Sequence, residues 1–177
     1  QDTAIRNYRT GSSPRNFRLF NSRRIGLSST RQPLPIAGGA RLTGRIGDRF
    51  EVGVLDMQTR SLDDLSDGSD YSAENFAVAR AKGTFGNATI GGMFINRQGQ
   101  DGSERSEYNR SYGIDANVQL APNVLMSGYW ARTDDSLPVG SDANTGMFQT
   151  AWRNPFWNMS ALFKHVGDGF SPETGFI

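Results

Sequence analysis

Apolar and polar residues alternate along most of this chain. Ala40, Leu42, Gly44 and Ile46 are interleaved with Arg41, Thr43 and Arg45. A period of two marks a strand with one oily and one wet face. Gly47-Asp48 interrupts the alternation with turn chemistry, and Phe50, Val52 and Val54 then resume it. The stretch 38–60 therefore predicts a hairpin of two long strands, and the rest of the chain repeats that unit. Residues 75–85 and 88–97 flank a Gly86-Asn87 turn, a strong hairpin signal. Residues 111–120 place Tyr112, Ile114, Ala116, Val118 and Leu120 on one face, with Gly113, Asp115, Asn117 and Gln119 on the other. After Ala121-Pro122-Asn123 the chain returns over 124–133. A last pair, 145–153 and 156–166, turns at Asn154-Pro155, with Trp157, Met159, Ala161 and Phe163 on one face. About eight strands are expected over 38–177. Residues 1–37, with Pro14, Pro33 and Pro35, predict an irregular lead-in in which only 16–20 and 24–27 look extended.

The connections sort into two kinds. Short turns fall at 47–48, 86–87, 121–123 and 154–155, and long polar loops at 61–74, 98–109, 134–144 and from 167 onward. They alternate strictly. Successive strands of a meander alternate in direction, so all short turns share one rim and all long loops the other. Outer-membrane barrels have this asymmetry. The expected strands, roughly 9–11 residues, also match a tilted bilayer crossing better than the ~5–6 residues usual in soluble sheets. Phe50, Phe85, Trp152, Phe156 and Trp157 lie near the short-turn rim, and Tyr112, Trp130 and Phe148 nearer the other. Two aromatic belts are expected at the two membrane interfaces. The fold class expected is thus all-β: an antiparallel up-and-down meander, part of a transmembrane β-barrel in the cell outer membrane, with lipid as its partner. The alternative is a soluble β-sandwich that binds or hydrolyses carbohydrate, with the same aromatics in its core.

Composition changes this picture little. The 177 residues suffice for one domain. Nineteen basic against 18 acidic residues give a net charge of +1, so no global field points to nucleic acid. The absence of Cys excludes disulfides and thiolate chemistry. No apolar run reaches the length of a membrane-crossing helix, and the mean hydropathy of −0.53 suits a barrel whose interior and loops are polar. The start at Gln-Asp-Thr-Ala and the end at Gly-Phe-Ile lead to the expectation of a fragment, an arc of a larger barrel.

No catalytic constellation and no cofactor-binding motif stands out. His165 is the single histidine, beside Lys164 near a strand end, where a rim position is expected. Asp63, Asp64, Asp67 and Asp70 crowd one loop, as hard cations prefer, but the spacing does not fit an EF-hand, so no metal is assigned. Asp134-Asp135 are adjacent and, on a strand, point apart. More telling are Arg41, Arg45, Glu51, Asp115 and Lys164, charges within strands and opposite the oily positions. Hydrocarbon at mid-bilayer disfavours such a charge by about 2–4 kcal/mol. In a barrel these five are the expected lumen-facing residues, in an ion-paired, water-lined interior. The faces of Arg80, Lys82 and Arg132 are ambiguous.

Several stretches together, Phe20-Asn-Ser-Arg-Arg-Ile-Gly26, Gly39-Ala-Arg-Leu-Thr-Gly44, Gly53-Val-Leu-Asp-Met-Gln-Thr-Arg60, Asn75-Phe-Ala-Val-Ala-Arg80, Asn109-Arg-Ser-Tyr-Gly-Ile-Asp115 and the segment from Val166 to Phe176, carry a resemblance. Over roughly 17–177 the chain resembles the uncharacterised outer-membrane barrel domain that follows a family-9-like carbohydrate-binding module in Gram-negative bacteria. The resemblance implies a barrel longer than this chain, acting as a channel or as an anchor in glycan handling. It implies no reaction and no catalytic residues. Any oligosaccharide binding would belong to the module, which these residues do not include.

Overall fold

A computed structural model of the chain describes residues 19–28, 32–62, 70–99, 107–137 and 140–175. Eight strands form: β1 (Ile36–Ile46), β2 (Phe50–Thr59), β3 (Glu74–Phe85), β4 (Ala88–Gly99), β5 (Tyr108–Ala121), β6 (Val124–Asp135), β7 (Asn144–Arg153) and β8 (Asn158–Val166). All pair antiparallel in one sheet, in chain order, and β1 and β8 are its two edges. The fold is an all-β up-and-down meander, and the sheet is open.

Local chemistry sets the turns. Gly47 and Gly86 hold left-handed φ values of 59° and 58° that a hairpin turn requires. At the last turn the Asn154 side-chain oxygen accepts the amides of Phe156 (2.9 Å) and Trp157 (2.6 Å). This local ring of hydrogen bonds delays β8 to Asn158, later than the apolar pattern predicts. At the other end β1 begins at Ile36, earlier than the expected 38.

The pairing register places the alternation on two distinct faces. One face carries Leu42, Val54, Ala79, Gly92, Ile114, Gly128, Phe148 and Phe163. No charged side chain stands on it between the short turns and the level of Asp56, Arg110 and Arg132 near the long loops. Its large residues are bare: Leu42 is 70% exposed, Ile114 59%, Met159 56% and Phe163 68%. Aromatic contacts flank the band, Phe50 edge-on to Phe85 near the short turns and Phe94 against Tyr112 toward the long loops.

The opposite face is polar toward the short turns and covered toward the long loops. The cover comes from the two ends of the described chain. Between the two stretches expected as extended, and taking in Arg24 of the second, a short 3-10 turn forms over Ser22–Arg24, capped by the Asn21 side chain. Leu27 makes only a single bridge, to Pro33. Leu19 packs on Val78, Met93 and Ile95 in one cluster and on Ala131 and Phe170 in another. An added Cβ at Gly113 would lie 2.7 Å from Leu19 Cδ2, so β5 is kept bare there for this side chain. The segment 167–175, expected as a polar tail, lies along β5 and β6. Thr133 Oγ1 accepts the Ser171 amide (3.2 Å), Asn109 Nδ2 donates to the Ser171 carbonyl (2.9 Å), and the Asn21 amide donates to the Thr174 carbonyl (2.8 Å).

Candidate functional site

All five charged candidates, Arg41, Arg45, Glu51, Asp115 and Lys164, stand on the polar face. Four of them share one line of the hydrogen-bond register. Reading straight across the strands, Arg45 is opposite Glu51, Glu51 opposite Lys82, Lys82 opposite Gly91, and Gly91 opposite Asp115. The line continues through Tyr129 and Met147 to Lys164. It starts beside the first short turn, since Arg45 is the penultimate residue of β1, and finishes two residues short of the long-loop end of β8. Strands therefore lean relative to the two rims, and the charged row climbs the face from one rim to the other.

Two of these residues are paired, with partners whose face the sequence left ambiguous. Lys82 Nζ lies 2.8 Å from Glu51 Oε2. Arg80 reaches diagonally over Gly91 to Asp115, and the missing side chain at Gly91 is what admits it: a Cβ there would meet the guanidinium at 2.5 Å. Asp115 is nearly buried by this contact. Arg41, Arg45 and Lys164 make no ion pair with any described residue. Arg132 stands on the apolar face, at its long-loop margin and exposed.

A second charged group, unforeseen in the sequence, lies beneath the cover. Arg97 and Glu74 are both fully buried and 2.8 Å apart. Arg97 also contacts Glu173 of the covering segment, and Tyr71 hydrogen-bonds Glu74. Burial of two charges is stabilising only when each is well partnered; the Arg97–Glu74 pair ties β4 to β3, and the Arg97–Glu173 contact ties segment 167–175 to β4. The signal was present in the alternation: Arg97 falls on the same face as Met93 and Ile95, where an unpartnered cation would not be tolerated.

The remaining candidates are dispersed. His165 Nε2 is 2.7 Å from Asp142 Oδ2 at the exposed long-loop rim. The Asp142 carboxyl is held down to about 2, first by the Asn144 side-chain amide and then by His165. Asp134 and Asp135 sit on opposite faces, and Asp135 accepts from Asn109 (2.6 Å) and the Leu137 amide (2.8 Å). Asp63, Asp64 and Asp67 lie outside the described residues, and Asp70 is exposed beside the Leu62–Tyr71 bridge. Among the described residues no cluster of three His, Asp or Glu is placed to hold a metal ion.

What the arrangement can do follows from its two faces. One is a continuous apolar surface, and the other is cation-rich toward the short turns and along the edge strands and covered toward the long loops in its middle. No helix among the described residues is long and apolar enough to cross a membrane, which leaves crossing by strands open. No protein-family model, curated protein or solved structure matches the chain.

Proposed function

We propose that this chain is wall of an outer-membrane β-barrel, with its apolar face in lipid and its polar face on a water-lined interior, and that it serves as part of a channel. The observation that carries this reading is the charge-free, exposed apolar band. From Tyr112 to Leu120 the band rises about 27 Å along β5 at ~3.4 Å per residue. At the ~35–45° tilt of barrel strands this spans roughly 20 Å of bilayer, near the ~25 Å expected of an outer-membrane barrel. A soluble sandwich needs a second sheet against that face, and the described strands form one sheet only. The resemblance to barrels joined to a carbohydrate-binding module adds a link to glycan handling, and no sugar affinity is assigned to the wall itself.

Trp130, Trp152 and Trp157 make the reading testable without new probes. The protein is reconstituted in vesicles containing lipids brominated at different depths. Quenching is expected for all three, strongest from bromines near the headgroups, because these residues lie toward the two rims of the band. A chain that stays monomeric in water without detergent, with unquenched tryptophans, refutes the proposal.

A further inference from the structure

The charges of the climbing row do not balance, and the imbalance points to a solute class. This step rests on the barrel reading. Away from the covered end, the polar faces of the strands carry the cations Arg41, Arg45, Arg80, Lys82, Arg153 and Lys164. Against them stand two carboxylates, Glu51 and Asp115. Each carboxylate is engaged by a cation from a neighbouring part of the face, Glu51 by Lys82 and Asp115 by Arg80. Of the other cations, Arg41, Arg45 and Lys164 make no ion pair with any described residue, and all three are exposed and lie on the two edge strands. These strands lie clear of the cover that Leu19 and Phe170 make over β3–β6.

We infer that the interior passes small anions in preference to cations, drawn by the exposed Arg41 and Arg45 of β1 and Lys164 of β8. Fixed cations on a low-dielectric wall concentrate counter-ions of opposite sign, and basic side chains lining a pore select anions. The Debye length of about 8 Å at physiological salt lets each cation act across one to two strand spacings of ~4.8 Å. The paired residues matter too. Glu51 and Asp115, neutralised by Lys82 and Arg80, present no uncompensated negative site that would hold a cation midway.

The test uses the protein inserted in planar bilayers across a potassium chloride gradient, with the reversal potential as readout. The expected chloride-to-potassium permeability ratio is above one. Arg45→Gln with Lys164→Gln lowers it toward one, and Arg41→Glu, Arg45→Glu and Lys164→Glu together bring it below one. The glutamine variant adds no charge, so its insertion serves as the check should the glutamate variant fail to assemble. A protein that inserts but prefers potassium, carries no current, or keeps its ratio in the glutamine variant overturns the inference and leaves the membrane reading standing. A protein that neither inserts nor shows lipid quenching of its tryptophans overturns both.

Discussion

Ala116 sits midway along the apolar band of β5, flanked on its own face by Ile114 and Val118, and across the sheet by Ile90 of β4 and Gly128 of β6. An arginine placed there has no polar neighbour on that face to receive it. In the proposed setting Ala116→Arg puts a charge near the bilayer midplane, which costs about 2–4 kcal/mol. That corresponds to roughly a 30- to 700-fold shift in the folding equilibrium. The same change at Leu120, four residues closer to the short-turn rim, costs ~0–1 kcal/mol. Asn117→Arg, next in the chain but on the polar face, costs under ~1 kcal/mol, because lumen substitutions tune selectivity more than stability. If water bathed the band instead, all three would fall within ~0.5 kcal/mol of the parent. Urea titration of the protein in lipid vesicles, followed by tryptophan fluorescence, gives the three differences from transition midpoints at a common slope. A flat profile, with Ala116→Arg no more costly than Asn117→Arg, refutes the assignment of that face to lipid.

Arg97→Ala leaves Glu74 buried without its cation and is expected to cost ~3–5 kcal/mol, whereas Arg97→Met with Glu74→Gln costs far less than the two single changes summed; denaturation of the four proteins checks this, and a loss below ~1 kcal/mol for Arg97→Ala contradicts the burial. For Asp142 the folded carboxyl lies near 2 against an ordinary 3.8, so its contribution favours the folded state above the ordinary value and is lost as pH falls through about 2. Asp142→Asn is therefore expected to remove part of the acid sensitivity between those limits, and an NMR titration placing this carboxyl at or above 3.8 defeats the assignment. Finally, with no native cysteine, Leu42→Cys on β1 and Phe163→Cys on β8 report cleanly on the edges; no intrachain disulfide is expected, and a high yield of one shows that β1 and β8 are direct neighbours.

Where the alternation is clean, sequence and structure agree. Residues 111–120 read as one strand because every second side chain is apolar and its neighbours are not, and β5 extends that reading by a few residues at its long-loop end. The turns at Gly47 and Gly86 were legible because few residues other than glycine adopt their backbone conformation. The charged candidates were legible as a face, since alternation assigns sides. It does not assign partners. Lys82 meets Glu51 and Arg80 meets Asp115 only through the register, which depends on turn geometry across several strands. β3 and β4 blur the signal further, because Phe76, Val78, Met93 and Ile95 are apolar on the face that elsewhere is polar. Their reason is the cover formed by Leu19 and Phe170, contributed from the far ends of the chain. Glu173, 76 positions after Arg97, has no local pattern that announces its contact.

That cover also bears on how many strands surround the interior. An eight-stranded barrel encloses a space that inward side chains alone fill. Here the inner face of the proposed wall carries, beyond its own side chains, two backbone segments, 19–28 and 167–175, one of which sends Leu19 down to the level of Gly113. Closing these same eight strands on themselves would have to place both segments, with Phe170 and the buried Arg97–Glu173 contact, in a volume already occupied from the opposite wall. Neither edge can end in hydrocarbon, since each unpaired backbone group there costs several kcal/mol. A membrane-embedded β1 and β8 must therefore each hydrogen-bond to another strand, and the space needed by the cover requires that this strand not be the other edge. In the proposed barrel the eight strands would therefore be an arc, and Arg41, Arg45 and Lys164 would face a wider interior than eight strands alone would leave.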